Sequence, residues 1–214
     1  YSFWKTKKSH YLESEILDYK LIGQDYLPLK DSITSINIVK KNFEKPKLLI
    51  SFGGKDETNL SLKILKLINH KKFKKITIIQ LGDSKNTNDL SRFINNKNNI
   101  QLYSELTDIA NIYKDTDVCI GGGGVSAIER CFLGIPSLVV IQASNQKDMI
   151  KNLYNRSLIE TLNIDRNKEE IGVSINNFLD NKDQLNNLSK NGRSFFVDNG
   201  SLKVAKKIVR LLDA

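Results

Sequence analysis

The chain has 214 residues, a formal net charge of +9, 40% hydrophobic residues and 27% charged ones. That balance fits a soluble globular protein of one or two domains able to bury a substantial core. The longest apolar runs, such as Leu138-Val139-Val140-Ile141, are far too short for a helical membrane span.

The positive charge favours polyanions, anionic membrane surfaces or phosphorylated substrates. Yet the basic clusters at Lys5-Thr6-Lys7-Lys8, Lys71-Lys72-Phe73-Lys74-Lys75 and Lys203 to Arg210 are scattered, and no nucleic-acid-binding motif accompanies them. They read as solvated lysine faces, and nucleic acid is not the expected partner. Cys119 and Cys131 sit in apolar settings without metal-ligand spacing. Reduced core cysteines, no metal, no cofactor and a cytoplasmic location are therefore expected. Tyr1 to His10 is polar and basic, without the apolar segment of a secretory signal. Because the first residue is Tyr1 rather than Met, a piece of a longer protein is expected.

Residues 1–45 are polar and weakly periodic, apart from the brief apolar Leu21-Ile22-Gly23. They read as a linker and the tail of a missing domain. From Pro46 onward, strand and helix patterns alternate. Lys47 to Phe52 reads as a buried strand ended by Gly53-Gly54, and Leu60, Ile64, Leu67 and Ile68 mark an amphipathic helix. Ile76 to Leu81 is a second strand closed by Gly82, a short helix spans Leu90 to Ile94, and Ile100 to Tyr103 is a third strand. Leu106, Ile109, Ala110 and Tyr113 mark a helix, followed by a strand from Asp117 to Ile120. Then come a helix from Ala127 to Leu133 with Gly134 at its C′ position, a strand from Ser137 to Gln142 and a helix from Gln146 to Tyr154. Leu158 to Leu162 is an edge strand. Three helices close the chain: Lys168 to Leu179, Lys182 to Lys190, and Leu202 to Leu212. Such alternation predicts an α/β fold, a Rossmann-like parallel sheet with helices on both faces.

The most informative stretch is Gly121-Gly122-Gly123-Gly124, set between Val118-Cys119-Ile120 and the segment Val125-Ser126-Ala127-Ile128-Glu129. Residues without Cβ atoms let a backbone approach a ligand closely, and the free amides of the helix that follows favour an anion. The spacing matches neither the dinucleotide fingerprint nor the P-loop. A parallel sheet binds its ligands beyond the carboxyl ends of its strands, where Gly53, Gly54, Gly82, the four glycines and Ala143-Ser144-Asn145 all fall.

Two readings stand for Ser126 and Glu129. Ser-x-x-Glu at a helix start forms a capping box; alternatively, Ser126 sits by a phosphate and Glu129 accepts hydrogen bonds from a ribose diol. Asn145-Gln146 either caps the next helix or offers amides to a sugar, and Lys55 either faces a phosphate or solvent. His10 and His70 are lone histidines, the latter suited to a helix end.

These residues resemble a known family. Gly23-x-x-Tyr26-x-x-Leu29-Lys30, Leu49-Ile50-Ser51-Phe52-Gly53-Gly54-Lys55-Asp56 with Asn59-Leu60, and Gly122 to Gly124 with Ser126, Glu129-Arg130-Cys131, Leu133-Gly134-Ile135-Pro136 and Asn145-Gln146 are similar, in order, to the motifs of the UDP-sugar hydrolases of the pseudaminic acid pathway. Those enzymes release UDP from UDP-2,4-diacetamido-2,4,6-trideoxy-β-L-altropyranose. The usual serine of the second motif is Lys55 here. A more distant resemblance is to the transferase that makes lipid II. The resemblance implies the C-terminal, nucleotide-binding domain of a glycosyltransferase B (GT-B) architecture, residues 46–214. It assigns UDP-sugar binding to Gly53, Gly54, Gly122, Gly123, Gly124, Val125, Ser126, Glu129 and Gln146, with Asn145 at the reaction centre. The family's general-base histidine lies in a Gly-x-Gly-His motif of the N-terminal domain, and no such motif occurs here. The isolated chain is thus expected to bind but hardly to catalyse. A glycosyltransferase fragment and a non-catalytic carbohydrate-assembly module are the alternatives.

Overall fold

A computed structural model describes residues 26–27, 29–37, 41–54, 56–83, 85–105, 108–196 and 200–212. The readings at His10, Leu21-Ile22-Gly23, Lys55 and Leu106 lie outside these residues. In chain order the elements are α1 (Asp31–Thr34), β1 (Lys47–Ser51), α2 (Leu60–Leu65), β2 (Lys75–Ile79), α3 (Lys85–Ile94), β3 (Ile100–Tyr103), α4 (Ala110–Lys114) and β4 (Val118–Gly122). They continue with α5 (Val125–Phe132), β5 (Ser137–Val140), α6 (Lys147–Asn155), β6 (Glu160–Thr161), α7 (Lys168–Asp180), α8 (Lys182–Phe195) and α9 (Gly200–Leu212).

The six strands form one parallel sheet in the order β3-β2-β1-β4-β5-β6. Its central strands are buried on both faces, which is why β1 reads as a continuous apolar run instead of an alternating one. Leu48 and Ile50 of β1 face a core completed by α2, α3, α7 and α8. Leu49 and Cys119 face the other side, against Ile33 of α1 and Ala110, Ile112 and Tyr113 of α4. Val139 on that same side meets α5 and α6 through Ala127, Ile128, Ile150 and Leu153. Leu27 and Leu29 join this layer, and the Gly200 amide at the head of α9 donates to the Leu27 carbonyl at 2.9 Å.

Several boundaries differ from expectation. The strand expected from Ser137 to Gln142 stops at Val140, because the chain turns through a 3-10 segment at Ser144–Gln146 before α6. Only Glu160 and Thr161 of the expected edge strand pair, since the sheet ends there and half its hydrogen bonds have no neighbour. The helix expected over Leu90 to Ile94 begins at Lys85, and α8 runs on to Phe195.

The order reverses between β1 and β4. From β1 the chain moves outward through β2 and β3, then returns to place β4 on the other side of β1. Adjacent strands whose following connections leave in opposite directions open a crevice at their carboxyl ends. The register sets Ser51 beside Gly121, so Gly53-Gly54 and Gly122 to Gly124 come to the same edge of the sheet.

Candidate functional site at the glycine edge

Each glycine at this edge has a different reason for being there. A Cβ on Gly121 would lie 2.4 Å from the Ser51 carbonyl oxygen, so close pairing of β1 with β4 requires its absence. Gly53 adopts φ +89, a left-handed conformation that side chains disfavour, in the turn that follows β1. On Gly123 a Cβ would press into Ile150 of α6. Gly124, by contrast, faces open space.

Helix α5 starts at Val125, with Gly124 as its N-cap and no side-chain cap bond. The capping box reading of Ser126 and Glu129 is therefore not realised: Ser126 is the second helical residue, two places past the N-cap. The amides of Gly124, Val125 and Ser126 donate to no acceptor among the described residues. Val125 is 58% exposed and Ser126 is exposed as well, so this amide-lined step opens outward. Free amides at a helix start, reinforced by the helix dipole, are chemically suited to an anion.

One turn deeper lies Glu129, 8% exposed. Its Oε2 accepts a hydrogen bond from the Tyr113 hydroxyl at 3.2 Å, and the carboxylate makes no other hydrogen bond among the described residues. Burial pushes the Tyr113 phenol well above its usual range, so it stays a neutral donor, and Ser126 and Arg130 also approach its hydroxyl. Arg130 is 1% exposed; its Nε donates to Ser137 Oγ at 3.0 Å and its Nη2 to the Gly122 carbonyl at 2.9 Å. Burial raises the neighbouring thiols too, Cys131 up to about 12, so neither ionises at neutral pH.

Beyond β5, on the β4 side of the crevice, the Gln142 backbone amide donates to Gln146 Oε1 at 3.0 Å. Asn145 is exposed and makes no hydrogen bond among the described residues, while Gln146, the N-cap of α6, makes no side-chain cap bond. The helix-capping reading of this pair thus finds no bond to support it. Gly53, Gly54, Gly122, Gly123, Gly124, Val125, Ser126, Glu129, Asn145 and Gln146 are all brought to, or just beneath, one sheet edge. His70 is not: its ring nitrogen bonds the Leu65 carbonyl at 2.6 Å and finishes α2, as a cation or donor at a helix end does. Asp56 is fully buried and its two oxygens accept from the Leu60 and Ser61 amides at 2.9 and 2.7 Å, capping α2.

Sequence reasoning passed over three residues here. Tyr113 reads as one more apolar position of a helix, and Arg130 enters only as a letter of the motif Glu129-Arg130-Cys131 with no role of its own. Gln80, 2% exposed at the exit of β2, has an Oε1 without a hydrogen-bond partner. Only its position at the end of an otherwise apolar strand hinted at it.

A parallel sheet ordered 3-2-1-4-5-6, with its order reversing between β1 and β4, defines a doubly wound, Rossmann-like α/β fold. More narrowly, this is the Rossmann-like C-terminal domain of GT-B proteins. The chain belongs to the family described as glycosyl transferases group 1, which it matches over residues 32–195. It superposes on MurG of Acinetobacter baumannii with a TM-score of 0.66 at 16% identity, covering 81% of this chain and 55% of that one. For the UDP-GlcNAc 2-epimerase of Neisseria meningitidis, bound to UDP-GlcNAc, the TM-score is 0.61 at 14% identity, with coverage of 79% and 46%. The spore coat polysaccharide biosynthesis protein SpsG of Bacillus subtilis is 26% identical over 140 residues, 63% of this chain. The chain spans only 31% and 41% of the lengths of two curated relatives it matches. No described helix is long and apolar enough to cross a membrane.

Proposed function

We propose that this chain is the UDP-sugar-binding half of a larger GT-B enzyme of polysaccharide or sugar-nucleotide metabolism. On this reading residues 46–214 form the binding domain, and residues 1–45 are a linker and the tail of an N-terminal domain that completes the site in cis. The observation that carries it is a vertical pairing at one switch point: free amides of Gly124 to Ser126 for an anion, and a buried carboxylate with one oxygen unused a turn below. A diphosphate fits the first and a ribose diol the second. The solved relative holding UDP-GlcNAc supports uridine as the base.

Two activities of the parent fit this site. In a hydrolase of the pseudaminic acid type, water attacks the anomeric carbon and UDP leaves, its growing charge held by the amides of the glycine turn. In a glycosyltransferase, an acceptor hydroxyl replaces that water, a reading that the family match supports about equally well. Either way Gly53, Gly54, Gly122 to Gly124 and Gln146 shape the donor site, and Asn145 stands at the sugar. The base comes from the N-terminal domain, and removing a general base typically costs about 10²–10⁴ in rate. A cytoplasmic location belongs to the same proposal, since Cys119 and Cys131 are unpaired thiols within the core.

Calorimetric titration with UDP and with ADP tests the binding claim, and tighter ADP binding contradicts it. The half-enzyme claim predicts UDP release near background for these residues alone, restored with the upstream domain. Robust turnover by the isolated chain overturns it.

A further inference from the structure

Arg130 is the one fully buried arginine among the described residues, and no carboxylate forms an ion pair with it there. A guanidinium stays charged in any protein environment, and a buried charge is costly unless an opposite charge meets it. Its neighbours Cys119, Cys131 and Tyr113 are neutral at neutral pH, so none of them supplies that charge. What Arg130 does hold is the frame of the site. Its Nη2 pins the Gly122 carbonyl at 2.9 Å, directing that oxygen inward at the residue where β4 gives way to the glycine turn. Its Nε is fixed in turn by Ser137 of β5. Through the Tyr113 hydroxyl it is linked to the Glu129 carboxylate.

We propose that Arg130 is a buried positioning residue of the anion seat, whose unpaired charge is completed by the phosphates of the bound ligand and whose fork holds the Gly122 carbonyl, and through Tyr113 the carboxylate of Glu129, in place. This rests on the reading of the turn as a diphosphate seat and adds the source of its field. The guanidinium does not touch the ligand. It acts through fixed dipoles and across a low-dielectric layer, where a unit charge is felt over several ångströms. Its contribution therefore scales with ligand charge, which a purely structural role does not do.

The test is a charge series. The 214-residue chain and its Arg130→Met, Arg130→Lys and Tyr113→Phe variants are titrated with UDP, UMP and uridine by nuclear magnetic resonance, with melting curves recorded for each. Arg130→Met is expected to weaken UDP on the order of tenfold, UMP less and uridine hardly at all, with Arg130→Lys recovering part of the UDP loss. Equal loss for all three ligands, or none, overturns the proposal. Should Arg130→Met fail to fold, Tyr113→Phe keeps the ring and removes only the hydroxyl joining Arg130 to Glu129. It is expected to reduce the preference for UDP over 2′,3′-dideoxy-UDP, and an unchanged preference overturns the link. A wild-type chain that binds UDP no better than uridine contradicts the diphosphate reading itself. A charge preference that survives intact in every variant contradicts only the role given to Arg130.

Discussion

The two ends of the sheet treat charge in opposite ways. At the amino end, Lys47 and Lys75 share the Asp115 carboxylate, and Asp117 accepts from the amides of Asn42 and Lys47 at 3.0 and 2.9 Å. Burial pulls the Asp115 carboxyl upward, but its hydrogen bonds from Lys47 and Lys75 outweigh this and hold it below its usual value. Lys47 is raised in return, chiefly by its hydrogen bond to Asp115. At the carboxyl end, Glu129 and Arg130 are both more deeply buried, yet neither forms an ion pair among the described residues. On the proposed reading, the charge left incomplete where burial makes it costly is completed by a ligand, whereas the closed network at the amino end serves the fold.

The sharpest break of that contrast lies within the glycine turn. Gly121→Ala forces a Cβ against the Ser51 carbonyl and is expected to cost about 3 kcal/mol of stability, read from denaturant unfolding. Gly124→Ala meets open space, so it is expected to cost under about 1 kcal/mol in stability while weakening UDP. If both variants unfold equally easily, the turn is structural throughout.

Next in size is Glu129→Gln. Losing a charge-assisted hydrogen bond to ribose is expected to weaken UDP by about 2 kcal/mol in calorimetry, with the melting temperature nearly unchanged. The opposite pattern, a lower melting temperature with affinity intact, would make Glu129 a core residue.

At the amino end the effects are smaller and spare the ligand. Asp115→Asn is expected to cost under about 1 kcal/mol, since its partners are partly exposed, and to leave UDP affinity alone. The depressed Asp115 carboxyl stabilises the fold above its unfolded value and loses that effect as pH falls through its folded one, so the cost of the variant is expected to vanish in acid.

Lys41 gives the subtlest test. Its Nζ donates to the Thr116 carbonyl at 2.7 Å, and burial, with Arg193 and Lys47 nearby, lowers it to about 8 despite the attraction of Asp117. The unfolded chain then binds more protons between about 8 and 10.5, so stability relative to Lys41→Met is expected to rise across that range. A flat difference in melting temperature would show that the amine is not held in its neutral form.

The sheet was legible because β1 and β4 are apolar runs ended by glycine, a pattern that needs no tertiary information. The glycine edge followed from the rule that parallel sheets present their carboxyl ends to ligands. What was not legible depended on one-residue differences or on burial against intuition. Ser-x-x-Glu has the same spacing whether Ser126 is the N-cap or the second helical residue, and only the extended backbone of Gly124 decides it. An arginine is presumed solvated, and nothing in Glu129-Arg130-Cys131 says that the middle side chain turns inward to Gly122. Nor does the motif around Asp56 say that both of its oxygens are taken up by the amides at the start of α2.

The central claim, that the incomplete charges of the carboxyl end await a nucleotide diphosphate, is tested most directly by mapping amide chemical shifts during titration with UDP. The expected result is saturable perturbation at Gly53–Gly54, Gly122 to Glu129 and Asn145–Gln146, with Lys47, Asp115 and Asp117 silent. Perturbation centred on the lysines of the amino end, or no saturable response to UDP at all, would contradict it.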